Sequence, residues 1–398
     1  MISSVKDDAD PACLAARLAD GPKLFAPFEA ERRLEDWLSD LTPQQSDEIR
    51  TLAGTFPHVK AILLGIAESS PYLFDLMRSD PERTLCLLRS DPESHLGRLI
   101  ADIWEAAEAA DEAEAMRRLR RGKMAAALLI ALCDIGGVWP VMQITAGLTD
   151  IAVAAVQSAL RFLLRQETGR GRLNPPEIDH PEDASGLVVL AMGKMGAGER
   201  NYSSDIDLIV FFDLAAPTLA SGIEAQPFFV RLTQGLARLL QQRTGDGYVF
   251  RVDLRLRPDP ASTQVAVSTA AALDYYEREG RTWERAAMIK ARPCAGDRKA
   301  GETMIAEISP FVWRKHLDFA ALAEVHDMKR QMQTFRGQSE IAVEGHNVKI
   351  GRGGIREIEF FAQTQQLVAG GRHPELRVRP TLRSEEHTSE LQSHYSIS

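Results

Sequence analysis

The sequence runs to 398 residues, 44% hydrophobic and 26% charged, with a net charge of −9. That length suits two or three domains, and the composition is that of a globular chain able to bury a sizeable core. The acidic balance argues against a general nucleic-acid coat.

Met1 to Asp8 lacks a basic stretch followed by an apolar run, so no signal peptide is expected. Residues 10 to about 170 are rich in Ala, Leu, Glu and Arg, a helical composition. Ser70-Pro71 and Asp80-Pro81 mark helix starts, each a capping residue followed by proline. The arginines at 117, 118, 120 and 121 are expected to form a solvated helix face. Met124 to Cys133, the longest apolar run, is about half of what a membrane span needs and predicts a buried helix, with no membrane association. Gly136-Gly137 reads as a helix stop. Four distant cysteines (Cys13, Cys86, Cys133, Cys294) form no CxxC pair, which favours a reducing cytoplasm over a disulfide framework or a zinc site.

Gly169 to Glu182 is linker-like, and the composition changes after it. Strands are expected at Leu187–Met192, Leu208–Phe212 and Tyr248–Leu256. Helices are expected at Pro227–Arg243, Thr269–Glu279, Trp283–Lys290, Leu322–Met332 and Glu357–Val368. The fold class is therefore α+β: a helical domain over 1–170, a core over 183–300 with a small mixed sheet, and a helical extension over 301–382. Residues 383–398 look like the translation of a sequencing-library adapter, and the natural protein is expected to continue past Leu382.

Asn201-Tyr202-Ser203-Ser204-Asp205-Ile206-Asp207-Leu208 carries the chemistry. Side chains alternate along a strand, so Asp205 and Asp207 face the same way at its mouth. Two such carboxylates repel unless a cation lies between them. Their hard oxygens suit Mg²⁺ held with substrate phosphates. Gly193-Lys194-Met195-Gly196 follows the first strand, where glycine lets backbone amides approach a phosphate, although a plain tight turn explains it equally well. In Val252-Asp253-Leu254-Arg255-Leu256-Arg257, the acid and two arginines share one strand face. Either a third ligand of a two-metal site or an edge strand with surface ion pairs fits that pattern.

The order of these blocks is similar to the nucleotidyltransferase superfamily related to DNA polymerase β, with Lys194 where that signature has Gly or Ser. Together with Trp283-Glu284-Arg285-Ala286-Ala287-Met288-Ile289-Lys290-Ala291-Arg292 and Gly353-Gly354-Ile355-Arg356-Glu357-Ile358-Glu359, they resemble the bacterial glutamine synthetase adenylyltransferase/deadenylase family. The resemblance implies a polymerase-β-like core and two Mg²⁺ on Asp205, Asp207 and Asp253. It implies nucleotide or phosphate contacts from Gly193, Lys194, Ser203, Ser204, Arg255, Arg257 and Lys290, with Arg292 as a further candidate. The implied reaction is phosphorolysis of adenylyl-tyrosine on glutamine synthetase, yielding ADP, by the N-terminal half of a tandem enzyme. The implied partners are glutamine synthetase, inorganic phosphate, ADP or ATP and a PII-type signalling protein. ATP-dependent adenylylation by this half, or a non-catalytic docking module, are the rival readings. Glu357 and Glu359 suit either a metal or a helix N-terminus.

Overall fold

The computed structural model describes residues 11–315, 344–349, 351–381 and 383–384. The helix expected at Leu322–Met332 and most of the adapter-like tail lie outside the described residues.

Residues 1–159 and 242–249 form one compact unit, and 160–241 with 250–398 form the other; the division falls inside the helix Val141–Gly169. Helices make up most of the first unit over residues 27–159, and proline punctuates them. Helices begin at Pro27, Pro43, Pro57, Pro71, Pro81 and Pro92, because the first helical position needs no N–H partner. The Ser70 hydroxyl accepts the Leu73 N–H at 3.4 Å, and Asp80 accepts that of Arg83 at 3.0 Å. The helix Glu112–Ile135 carries the apolar run and ends before Gly136-Gly137, with Gly137 at a φ of 65°. Residues 125–133 of that helix are buried.

One arginine of the cluster corrects the expectation of a solvated face. Arg120 is fully buried, its guanidinium donating to the carbonyls of Met116, Gln242 and Gly247. Two of these acceptors, Gln242 and Gly247, come from a loop more than a hundred residues away, so no local pattern marks the position. The helix Val141–Gly169 is long and apolar enough to cross a membrane, yet most of its apolar window is buried within the protein.

The second unit is built on a five-stranded mixed sheet. The strands are β1 (Leu187–Ala191), β2 (Ile206–Phe212), β3 (Val252–Asp253), β4 (Val267–Ser268) and β5 (Arg292–Gly296). β1 pairs antiparallel with both β2 and β5. The far edge of β2 is shared: its first residues pair parallel with β3 and its last with β4. β1 is buried along its whole length, as its unbroken apolar run requires. Helices Thr269–Arg278, Thr282–Met288, Arg298–Val312 and Ile355–Ala369 contribute Tyr276, Met288, Met304, Ile308, Phe311 and Leu367 to a core with Val188, Leu190, Ile209 and Phe211.

Two elements differ from the sequence expectation. The strand expected over Tyr248–Leu256 is confined to Val252–Asp253. Its continuation turns because the Arg255 N–H donates to Asp253 Oδ1 at 2.8 Å. β5 falls in a stretch for which the sequence suggests no element, and it tolerates Pro293 because it is an edge strand.

Candidate functional site

β2 delivers the acids. Asp205 immediately precedes the strand and Asp207 is its second residue. The parallel pairing sets Asp207 directly against Asp253. Asp207 is half-buried, and among the described residues no hydrogen-bond donor reaches its carboxylate. Burial, then the charges of Asp253 and Asp205, push its pKa up to about 6, against smaller opposing effects of Arg255 and Lys194. The other two acids are paired. Arg251 Nε lies 2.5 Å from Asp205 Oδ1, and its Nη2 donates to the Ser203 carbonyl at 2.9 Å. Arg255 Nη2 lies 2.5 Å from Asp253 Oδ2, and this hydrogen bond holds the Asp253 carboxyl below its usual range. Among the described residues, no three His, Cys, Asp or Glu side chains are gathered tightly enough to enclose an ion as they stand.

The glycine turn closes on the same acid. Residues Gly193–Ala197 form one short helical turn, ended by Gly198 at a φ of 78°. Gly193 has a φ of 52°, and a Cβ there would lie 2.7 Å from Asp207 Oδ2. A Cβ on Gly196 would lie 2.1 Å from the Lys290 carbonyl. Only glycine lets the turn sit between β2 and the 290–292 segment.

The remaining candidates are dispersed. The Ser204 hydroxyl donates to the Asn201 side chain, and Ser203 lies in the adjoining turn. Arg257 donates to the carbonyls of Leu254, Pro260 and Thr263, which ties down the loop after β3. Lys290 is buried, with its ammonium 3.1 Å from Glu359 and 2.9 Å from the Thr381 hydroxyl. Arg292 donates to the carbonyls of Gly196 and Met195 and so braces the glycine turn. Glu357 accepts the Gly353 N–H at 2.7 Å, in the first turn of its helix. Glu357 and Glu359 are thus both engaged in these other contacts.

Two residues were not marked by the sequence. Arg251 meets Asp205 across 46 positions. Arg200, which is buried, stacks its guanidinium 4.0 Å from the Phe250 ring centroid and donates to the Ser204 carbonyl at 2.6 Å. Their roles depend on β2 meeting β3, a contact that no spacing in the chain announces.

A mixed sheet with a glycine turn after its first strand, and acids on the next strand and on its parallel neighbour, defines an α+β nucleotidyltransferase-like fold. Residues 61–306 match the family model described as glutamate-ammonia ligase adenylyltransferase, and 322–397 match one described as GlnD PII-uridylyltransferase. The chain belongs to the glutamate-ammonia ligase adenylyltransferase family. It is 71% identical over 381 residues to a bifunctional glutamine synthetase adenylyltransferase/adenylyl-removing enzyme of Rhodopseudomonas palustris (strain BisB5), covering 96% of this chain and 38% of that protein. Proteins of the same name from Bradyrhizobium diazoefficiens and Xanthobacter autotrophicus are 71% and 56% identical, over 93% and 94% of this chain and 37% and 38% of their own lengths. The chain thus spans under two-fifths of the length of these relatives.

Proposed function

We propose that this chain carries the adenylyl-removing centre of a bifunctional enzyme that modifies glutamine synthetase. An oxygen of inorganic phosphate bonds to the AMP phosphorus, the bond from that phosphorus to the tyrosine oxygen breaks, and ADP leaves. The phenolate then takes a proton. The observation that carries this reading is the register pairing of Asp207 with Asp253 beside Gly193. A carboxylate in that position, with two acidic neighbours and no hydrogen-bond donor among the described residues, is poised for a cation rather than for a structural role.

Asp205, Asp207 and Asp253 would hold one or two Mg²⁺. When bound, the metal offsets the repulsion between phosphate and AMP and stabilises the departing phenolate, whose parent phenol has a pKa near ~10. The chain's own residues do the rest. Gly193 lets the backbone come close without crowding Asp207. Lys194 and Arg255 add positive charge near Asp207, suited to phosphate oxygens. Arg292 keeps the glycine turn in place through two carbonyls. The helical unit ahead of the core supports assignment to the N-terminal half. The match over 322–397 supports a PII-type protein as regulator.

The test incubates this chain with adenylylated glutamine synthetase, Mg²⁺ and phosphate, and follows ADP. Phosphate-dependent ADP release that is abolished in Asp207→Asn is the expected result. Unchanged release in that variant overturns the catalytic reading. Transfer of label from ATP to unmodified glutamine synthetase without phosphate would instead assign the forward, adenylylating reaction.

A further inference from the structure

The three acids and their two arginines form an unequal set. Arg251 takes Asp205, and Arg255 takes Asp253 through both its Nε and its Nη2. Two of the three acids are therefore hydrogen-bonded to a guanidinium, and the acid left without such a partner among the described residues is Asp207, the register partner of Asp253, with Lys194 near enough only to add charge. The Arg251 and Arg255 side chains are 54% and 84% accessible, against 45% for Asp205 and 16% for Asp253, so both guanidiniums lie in water and only the Asp253 acid is withdrawn from it. Exposed ion pairs are weak, so releasing either guanidinium into water costs little.

We propose that Arg251 and Arg255 are internal counter-ions that stand in for the divalent cation, each holding one flanking carboxylate until the cation displaces it. The proposal rests on the assignment of Asp205, Asp207 and Asp253 as cation ligands. Without the arginines, three convergent carboxylates would repel and spread. With them, the site keeps its shape before the cation arrives, at the cost of a competition. Arg251 also holds the Ser203 carbonyl, so its release frees the turn that precedes Asp205.

The measurement is Mn²⁺ binding to the whole chain, followed by the loss of the free-ion electron paramagnetic resonance signal, with no substrate present. The wild-type chain should show a site that disappears in Asp207→Asn. Arg251→Gln and Arg255→Gln should each bind Mn²⁺ about threefold more tightly, the scale of an exposed pair. Arg251→Lys, which keeps the charge, should stay close to wild type. Melting should be lowered in both Gln variants without Mn²⁺ and equal to wild type when Mn²⁺ is saturating. Unchanged or weaker Mn²⁺ binding in both Gln variants overturns the counter-ion role while leaving the cation site intact. A wild-type chain with no Asp207-dependent site sinks the cation assignment itself, and this inference with it.

Discussion

Asp207 and Asp253 are direct partners in the parallel pairing of β2 with β3, so the backbone ladder holds two like charges on adjacent strands. Asp207 is the more deeply buried of the two and Asp253 is hydrogen-bonded to the Arg255 guanidinium, and the two acids diverge accordingly. Asp253 ionises below its usual range, while Asp207 is pushed up to about 6. Asp207 therefore has the stronger demand for a counter-charge, and the first expectation concerns its ionisation.

In the cation-free chain, the folded state binds a proton at Asp207 more tightly than the unfolded state, whose value is 3.8. The stability this gives is complete below the unfolded value and is lost as pH rises through about 6. Asparagine stays neutral at every pH. Asp207→Asn should thus stabilise the chain in EDTA at about pH 8, and the gain should fade to nothing as the pH falls towards 3.8. Urea titrations at several pH values measure this. A gain that grows towards acid would contradict the assignment. The same substitution should lower phosphorolysis by about a hundredfold or more, the scale of losing preorganised charge stabilisation.

Gly193→Ala should separate folding from chemistry. The added methyl meets Asp207 Oδ2 at 2.7 Å, and the backbone φ of 52° is unfavourable to alanine. The backbone strain costs about 1 kcal/mol. The displaced carboxylate should cost far more in kcat. Circular dichroism melting together with steady-state kinetics distinguishes the two. A variant with wild-type kcat would show that Gly193 serves the turn alone.

Two other glycines of the same turn make a matched comparison. A Cβ on Gly196 runs into the Lys290 and Ala191 carbonyls at 2.1 and 2.6 Å, both backbone atoms that have no rotamer to change. A Cβ on Gly198 meets nothing within 4 Å, although its φ is 78°. Gly198→Ala should cost about 1 kcal/mol from backbone conformation alone. Gly196→Ala should cost several times more, because the turn must part from the Lys290 backbone and from the end of β1. Equal denaturation midpoints for the two would show that the close approach at Gly196 relaxes without penalty.

The sheet was legible where its strands are long and apolar, and illegible where they are short. β1 and β2 are continuous apolar runs. β4 is only Val267–Ser268, too short for any alternation. β5 contains Pro293 and Gly296, which argue against a strand until its edge position is known. The Asp-x-Asp pair was readable because its spacing is local. The alternation after Asp253 misled, since the Asp253 carboxylate takes the Arg255 N–H and turns the chain, removing Arg255 and Arg257 from the strand. Arg251 and Arg120 act through contacts 46 and more than a hundred positions away, which only the folded chain supplies.

Lys290 provides the last test, because sequence and structure point to different roles. The resemblance suggested a phosphate ligand, whereas the ammonium donates to Glu359 and to the Thr381 hydroxyl. That hydroxyl in turn donates to Glu199 at 2.9 Å, just past the glycine turn. The Lys290 side chain is 6% exposed and that of Glu359 27%, so the pair is largely withdrawn from water. Lys290→Met should leave Glu359 without its partner and cost about 3 kcal/mol. Lys290→Met with Glu359→Met should be less destabilised than the sum of the two single changes, since the uncompensated charge is gone. At a temperature where each variant is folded, the KM for phosphate should match wild type. A large rise in that KM in Lys290→Met, with the melting curve unchanged, would return Lys290 to the phosphate site and remove it from the network that ties the C-terminal segment to the turn.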